Sequence, residues 1–100
     1  MEDILQGVSF QWDEYKNKTN IQKHGISFKE ALTVFFDEKA LLIEDEKHSD
    51  YEERFIILGL SKKLRLLVVC HCYRESDSVI RIISARKANI SEIDQYGGII

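Results

Sequence analysis

Residues 54–86, RFIILGLSKKLRLLVVCHCYRESDSVIRIISAR, decide the fold of this chain. Three runs rich in Ile, Val and Leu, at 54–60, 64–73 and 79–86, alternate with the short polar connections 61–63 and 74–78. Such runs are typical of β-strands, and connections this short join antiparallel neighbours. The sequence therefore predicts an antiparallel meander, and the run LLVV at 66–69 indicates a middle strand that is covered on both faces.

The segments on either side of this meander predict two further strands and three helices. Residues 8–12 alternate apolar with polar side chains, as a half-buried strand does, and residues 40–43 form another short apolar run. Asp13 is placed to cap a first helix that runs to Lys23 or His24, with Gly25 after its end. The pattern Ser27-x-x-Glu30 predicts a capping box at the start of a second helix.

These elements follow one another in the order β-α-α-β-β-β-β-α, which predicts an α+β fold. We expect an antiparallel twisted sheet with the two N-terminal helices packed on one face, and a short C-terminal helix capped by Asn89 or Ser91. With 100 residues and no composition break, the chain is expected to form a single domain over residues 1–100.

Composition narrows the class of protein. The chain has no Pro, 5 Gly and 44% hydrophobic residues, which argues against a disordered or low-complexity protein. No apolar run is long enough for a membrane span or signal peptide, so we expect a cytoplasmic protein without a membrane partner. Its 2 Cys, Cys70 and Cys72, fit buried thiols in a reducing compartment.

The charges are segregated along the chain although the net charge is only −3. Residues 37–53 hold 8 acidic and 2 basic residues, a balance of −6, whereas residues 54–87 hold 8 basic and 2 acidic residues, a balance of +6. A basic patch of this kind is the usual electrostatic footprint of phosphate binding, although strands also carry solvated charges without any ligand.

A hairpin register brings some of these residues together. If Lys62 and Lys63 form a two-residue turn, Arg54 lies opposite His71 in the neighbouring strand and shares a sheet face with it, together with Leu60 and Arg65. The next connection leaves two registers open, which place Arg81 opposite either Cys70 or His71.

Taken in order, several motifs of the chain resemble the BrnT family of bacterial type II toxins. They are Phe10-x-Trp12-Asp13-x-x-Lys16, Lys23-His24-Gly25-Ile26-Ser27-Phe28-x-Glu30-Ala31, His48-Ser49-x-x-Glu52-Glu53-Arg54-Phe55-x-x-Leu58-Gly59-x-Ser61, Leu66-Leu67-Val68-Val69-x-His71 and Ile80-Arg81-Ile82-Ile83-Ser84-Ala85-Arg86-x-Ala88. No single string is diagnostic, but their order and spacing over residues 8–96 are specific. The likeness departs at the terminal helix, commonly Arg-rich in relatives, which here reads SEIDQ at 91–95.

The resemblance implies a RelE-like fold and a metal-independent endoribonuclease toxin that inhibits translation and has no cofactor. It also implies a cognate antitoxin of the ribbon-helix-helix, BrnA-like class, a heterotetramer with it, and operator DNA bound through the antitoxin. The alternative is a non-catalytic RNA-binding or protein-interaction module of the same fold.

RNA cleavage without a metal needs a base, an acid and cations that stabilise the phosphorane, which predicts a catalytic set of arginines and histidines. Its members are His24 with the adjacent Lys23, together with Arg54, His71 and Arg81. We expect RNA contacts from three more basic residues, Arg65, Arg86 and Lys87.

Simpler interpretations accompany several of these residues. His24 also suits an ordinary helix C-terminus, and a histidine in an apolar strand such as His71 is more often a buried structural one. Glu53 lies outside the site unless a bulge re-aims it, and the acidic stretch 44–53 either docks a basic antitoxin segment or is solvated. We expect no metal site, because the one Cys pair lacks further ligands at suitable spacing.

Overall fold

A computed structural model describes residues 1–44 and 52–97. The strands are β1 (Glu2–Leu5), β2 (Val8–Gln11), β3 (Leu41–Glu44), β4 (Phe55–Leu60), β5 (Leu66–Arg74) and β6 (Val79–Lys87). The helices are α1 (Glu14–His24), α2 (Phe28–Ala31), which continues as a 3-10 helix over Leu32–Phe36, and α3 (Ile90–Tyr96). No helix in these ranges is long and apolar enough to cross a membrane.

Within the described residues the six strands form one mixed sheet in the order β1-β2-β6-β5-β4-β3. The predicted α+β class is confirmed, as is the antiparallel meander of β4, β5 and β6. Two details of the predicted sheet are wrong. The sheet is not fully antiparallel, because β2 pairs with β6 in parallel, and the predicted element order lacks a strand, β1, that precedes β2. Gln6 and Gly7, with φ of 51° and 81°, form the two-residue turn that joins β1 to β2.

The sheet carries a core on each face. The larger core packs α2, the 3-10 helix and the segment before α2 against the sheet, and its buried members are Phe10, Trp12, Ile26, Phe28, Ala31, Leu32, Val34, Ile57, Leu67, Val69, Ile82 and Ala85. The smaller core, on the opposite face, packs Ile93 and Tyr96 of α3 against Leu58, Leu66 and Val68. The strand segment 66–69 is therefore buried on both faces, as its sequence predicts.

The helix boundaries follow local sequence signals. The Asp13 side chain accepts hydrogen bonds from the backbone N–H groups of Tyr15 and Lys16, and Gly25 ends α1 with a left-handed φ of 70°. Ser27 caps α2 as predicted, accepting from the Glu30 N–H at 3.1 Å. The Glu30 half of the capping box does not form, because that side chain turns to Ser61 and Arg65 instead.

The predicted register between β4 and β5 is wrong by one residue. Phe55, not Arg54, lies opposite His71. The connection has three residues, since Ser61 N–H donates to the Arg65 carbonyl at 2.9 Å and Leu64 takes the left-handed position with φ of 63°. Adjacent strand residues point to opposite faces, so Arg54 and His71 do not share a face.

Both registers considered for β5 and β6 are also wrong. Arg81 lies opposite Cys72, because the register that starts at the pair Arg74 and Val79 is set by the connection, where Glu75, Ser76 and Asp77 are left-handed. A bulge interrupts the ladder farther along, between Cys70 and His71. A one-residue change exchanges the faces of a strand, so these two corrections decide which side chains can meet.

Candidate functional site

Three arginines lie on the sheet face that also carries α3, beyond the part that α3 covers. Arg81 lies opposite Cys72 in β5 and opposite Gln11 in β2. Arg74 follows Cys72 by two residues in β5 and so shares its face. Arg54 lies two residues before Ile56, so the alternation of side chains places it on the same face as Ile56. We call this region, Arg54, Arg74 and Arg81 with the side chains between them, the arginine face.

Polar neighbours hold the arginine face in place. Arg81 Nη1 donates to Gln11 Oε1 at 2.8 Å, and Arg74 forms an ion pair with Glu52. Glu52 also accepts a weak hydrogen bond from Cys72 Sγ at 3.5 Å. Burial raises the pKa of Glu52, but the hydrogen bonds from Arg74 and Cys72 and the charges of Arg74 and Arg54 lower it overall, so Glu52 is anionic at neutral pH.

Lys23 and His24 lie at the C-terminal end of α1, beside β6. They line a groove of about 220 Å³ together with Ile83 and Ser84. Ser84 lies opposite Cys70 and Arg81 lies opposite Cys72, two residues farther along β5. At about 3.4 Å per strand residue, this groove is roughly 7 Å along the sheet from Arg81.

Asn20 fixes α1 against β6. Its side-chain amide donates to the Ala85 carbonyl at 2.8 Å and accepts from the Ala85 N–H at 3.1 Å, so it takes the place of a neighbouring strand beyond the end of β2. It also donates to the Ile26 carbonyl at 2.8 Å. Asn20 is the one buried residue of α1, and it sets the position of His24 one turn later.

His71 lies on the face that α2 and the 3-10 helix cover, away from the arginine face. Its ring is fully buried and packs edge-on against Phe35, with centroids 4.7 Å apart, and against Tyr73 at 5.4 Å. Nδ1 lies 3.2 Å from the Val69 carbonyl oxygen, and Nε2 has no hydrogen-bond partner in the described structure. Burial lowers the pKa of His71 to about 4, so the ring is neutral at physiological pH.

The three residues expected to contact RNA have different surroundings. Arg65 forms an ion pair with the buried carboxylate of Glu30, and its guanidinium also donates to the Gly25 carbonyl. Arg86 binds Glu92 of α3 through two hydrogen bonds of 2.8 Å. Lys87 is exposed at the end of β6. Of the three, Lys87 has its charged group open to a ligand.

Sequence reasoning missed Glu52, Arg74, Gln11 and Asn20. Of these four residues, only Asn20 has a sequence signal of a special role, because asparagine is a poor helix former and stands in the middle of a helix. The positions of the other three depend on the strand registers. Glu53 is exposed and its segment precedes β4 without a regular strand pairing. His48 and most of the acidic stretch 44–53 lie outside the described residues.

No group of three or more His, Cys, Asp or Glu is placed to hold a metal ion in residues 1–44 and 52–97. The described residues Arg54, Arg74, Arg81, Lys23 and His24 offer cations, hydrogen-bond donors and one imidazole. Such a set can bind a phosphate diester and stabilise additional negative charge on it.

Comparison with known proteins agrees with this chemistry. Residues 12–92 match the model of a family described as the ribonuclease toxin BrnT of type II toxin-antitoxin systems. Among solved structures, the 1.1 Å crystal structure of the Brucella abortus ribonuclease toxin, BrnT, is similar, with a TM-score of 0.62 and 26% sequence identity. That match covers 80% of this chain and 95% of the Brucella chain. No curated protein sequence matches.

Proposed function

Because this chain belongs to the BrnT family of ribonuclease toxins of type II toxin-antitoxin systems, we propose that it is an endoribonuclease that cleaves RNA without a metal cofactor. The observation that carries the proposal is the arginine face, where Arg54, Arg74 and Arg81 lie on one side of the sheet, partly exposed. Guanidinium groups match phosphate oxygens in geometry and stay charged at every physiological pH.

In the proposed reaction the 2′-hydroxyl of a nucleotide attacks the adjacent phosphorus. The bond to the 5′-oxygen of the next nucleotide breaks, leaving a 2′,3′-cyclic phosphate and a free 5′-hydroxyl. A base removes the 2′-hydroxyl proton, an acid supplies a proton to the departing oxygen, and cations stabilise the phosphorane between these steps.

We assign the phosphorane contacts to Arg81 and Arg54, and the proton-transfer or positioning roles to His24 and Lys23. The groove that contains His24 and Lys23 adjoins the part of β6 that carries Arg81, which supports this grouping. His71 is omitted from the catalytic set, because a neutral ring buried on the other face has no access to a substrate on the arginine face. Lys87 is kept as an RNA contact, whereas the charges of Arg65 and Arg86 are engaged by Glu30 and Glu92.

The family implies an RNA substrate and an antitoxin partner. We propose that the toxin inhibits translation in the cytoplasm and that the antitoxin is a BrnA-like ribbon-helix-helix protein. We also propose a toxin-antitoxin heterotetramer that binds operator DNA through the antitoxin, and a RelE-like relationship for the fold. Sedimentation of the purified complex, with and without operator DNA, tests the assembly.

The first experiment incubates the purified protein with end-labelled RNA in EDTA at low salt and analyses the product ends. We expect cleavage with 2′,3′-cyclic phosphate ends. Loss of cleavage in EDTA, restored by a divalent cation, would contradict metal independence. Intact RNA that remains bound would instead support a non-catalytic RNA-binding module.

A second experiment tests the groove at the end of α1. His24→Ala is expected to lower the cleavage rate by about 100-fold, since general acid-base groups contribute that much or more. Lys18→Ala, which removes an exposed cation from the same helix, is the matched control and should change the rate less than threefold. Equal rates for the two variants would remove His24 from the catalytic set.

A further inference from the structure

A second cavity lies beside the aromatic cluster of His71, and its chemistry is the opposite of that of the arginine face. Phe55 and Tyr73 form its apolar lining, and three carboxylates, Glu52, Glu53 and Asp77, complete it, around a volume of about 500 Å³. We call it the acidic aromatic pocket. None of these residues is assigned a step in the proposed RNA cleavage.

The two aromatic side chains of this pocket are held by packing. Their ring centroids are 5.3 Å apart at 65°, and both rings contact the buried ring of His71, at 6.1 Å from Phe55 and 5.4 Å from Tyr73. His71 is itself fixed by its contact with Phe35. The aromatic surfaces are thus in place before any ligand arrives, which lowers the entropic cost of binding.

The three carboxylates give the described lining of the pocket a negative charge. Glu52 is paired with Arg74, but Glu53 and Asp77 are exposed, and neither has an ion-pair partner in the described part of the chain. Asp77 and Tyr73 line the same cavity, and burial, together with the charge of Asp77, raises the pKa of Tyr73. RNA phosphates are repelled by such a site, whereas a cation is attracted both by the carboxylates and by the aromatic faces.

We propose that the acidic aromatic pocket binds a cationic side chain, arginine or lysine, of the antitoxin. This inference rests on the proposed function, since it takes the antitoxin as the partner. An aromatic anchor site with charge complementarity is typical of the residues that dominate protein interfaces. A cation in the pocket also competes with Arg74 for Glu52. Binding in the pocket therefore weakens an ion pair that holds Arg74 on the arginine face.

The test compares two variants that each remove two negative charges. Glu53→Gln with Asp77→Asn alters the pocket without changing side-chain size, and Glu2→Gln with Glu38→Gln alters two exposed acids outside its lining. Titration with the purified cognate antitoxin should give a Kd about tenfold higher for the pocket variant and less than twofold higher for the control. Raising the salt concentration should reduce the difference between them.

Equal affinities of the two variants would overturn the proposal, and so would a wild-type chain that fails to bind the antitoxin. The RNA cleavage rate of each free variant, measured in EDTA, is expected to equal that of the unchanged protein. A wild-type chain that does not cleave RNA would overturn the proposed catalytic function while leaving the comparison of affinities readable. A pocket variant that loses cleavage along with antitoxin binding would show that the pocket belongs to the RNA site, which contradicts the proposal.

Discussion

The two faces of this sheet use the same residue types for different purposes. On the face that α2 covers, Arg65 is committed to the buried Glu30 carboxylate and His71 is enclosed by aromatic rings. On the opposite face, Arg81 and Arg74 are partly exposed, and among the described residues they bind the side chains of Gln11 and Glu52. The comparison teaches that the role of an arginine or a histidine in a strand depends on which face of the sheet its side chain lies on, and the strand register decides that face.

The largest effect is expected on the covered face. Arg65→Met leaves the Glu30 carboxylate, 2% exposed, buried without its cation, and should lower the free energy of unfolding by about 3 kcal/mol or more. Urea denaturation at pH 7 measures this change. The double variant Arg65→Met with Glu30→Leu should recover most of the loss, since it also removes the buried charge. A double variant no more stable than the single one would show that the ion pair itself stabilises the fold.

Arg81 provides the matching test on the open face, where we expect lost activity with intact stability. Arg81→Ala should reduce RNA cleavage by about 100-fold, the usual effect of removing one donor to a transition-state anion. Its melting temperature should change little, because the described partner of Arg81 is the Gln11 side chain. Lys62→Ala, an exposed cation in the β4–β5 connection, is the control and should retain full activity. A comparable loss in both variants would indicate non-specific electrostatics rather than a site.

The pH dependence of stability tests whether His71 belongs to the covered face. Because burial lowers its pKa to about 4 from 6.5, the unfolded chain takes up a proton below pH 6.5 that the folded chain accepts only near pH 4. Stability therefore falls as the pH decreases through this window, by about 2 kcal/mol between pH 7 and pH 5. His71→Phe should remove that part of the pH dependence in urea denaturation and leave RNA cleavage within threefold of normal.

The exposed His24 is the control for this measurement, since His24→Ala should keep the full fall in stability. If His71→Phe loses cleavage as severely as Arg81→Ala while remaining folded, then the separation of the two faces does not describe the function. In that case the histidine must reach the substrate through a movement of the covering helices.

The sequence was sufficient for the elements whose signals are local. Asp13, Ser27 and Asn89 begin their helices as the capping rules predict, and the apolar periodicity identified β4, β5 and β6. β1 was missed because its four residues, Glu2–Leu5, carry two acids and show no strand signal. It forms because the turn at Gln6 and Gly7 pairs it with β2.

The site was harder to predict because it depends on register. Leu64 takes a left-handed conformation that is uncommon for leucine, and this single residue moves Arg54 off the face of His71. The left-handed residues Glu75, Ser76 and Asp77 in the next connection set the partner of Arg81 in the same way. Residue spacing predicts which side chains lie opposite each other only when the length of every turn and the position of every bulge are known.

Lys87, which lies opposite Leu67 at the exposed end of β6, offers the smallest and most selective test of RNA binding outside the arginine face. Unlike the neighbouring Arg86, which binds Glu92 of α3 through two hydrogen bonds, Lys87 is exposed. If Lys87 contacts one phosphate of a bound RNA strand, Lys87→Ala should weaken RNA binding about threefold at low salt and reduce the slope of log K against log salt by about 0.7. Stability should not change, whereas Arg86→Ala should destabilise the packing of α3 on the sheet. An unchanged salt slope would place the end of β6 outside the RNA-binding surface and confine that surface to the arginine face.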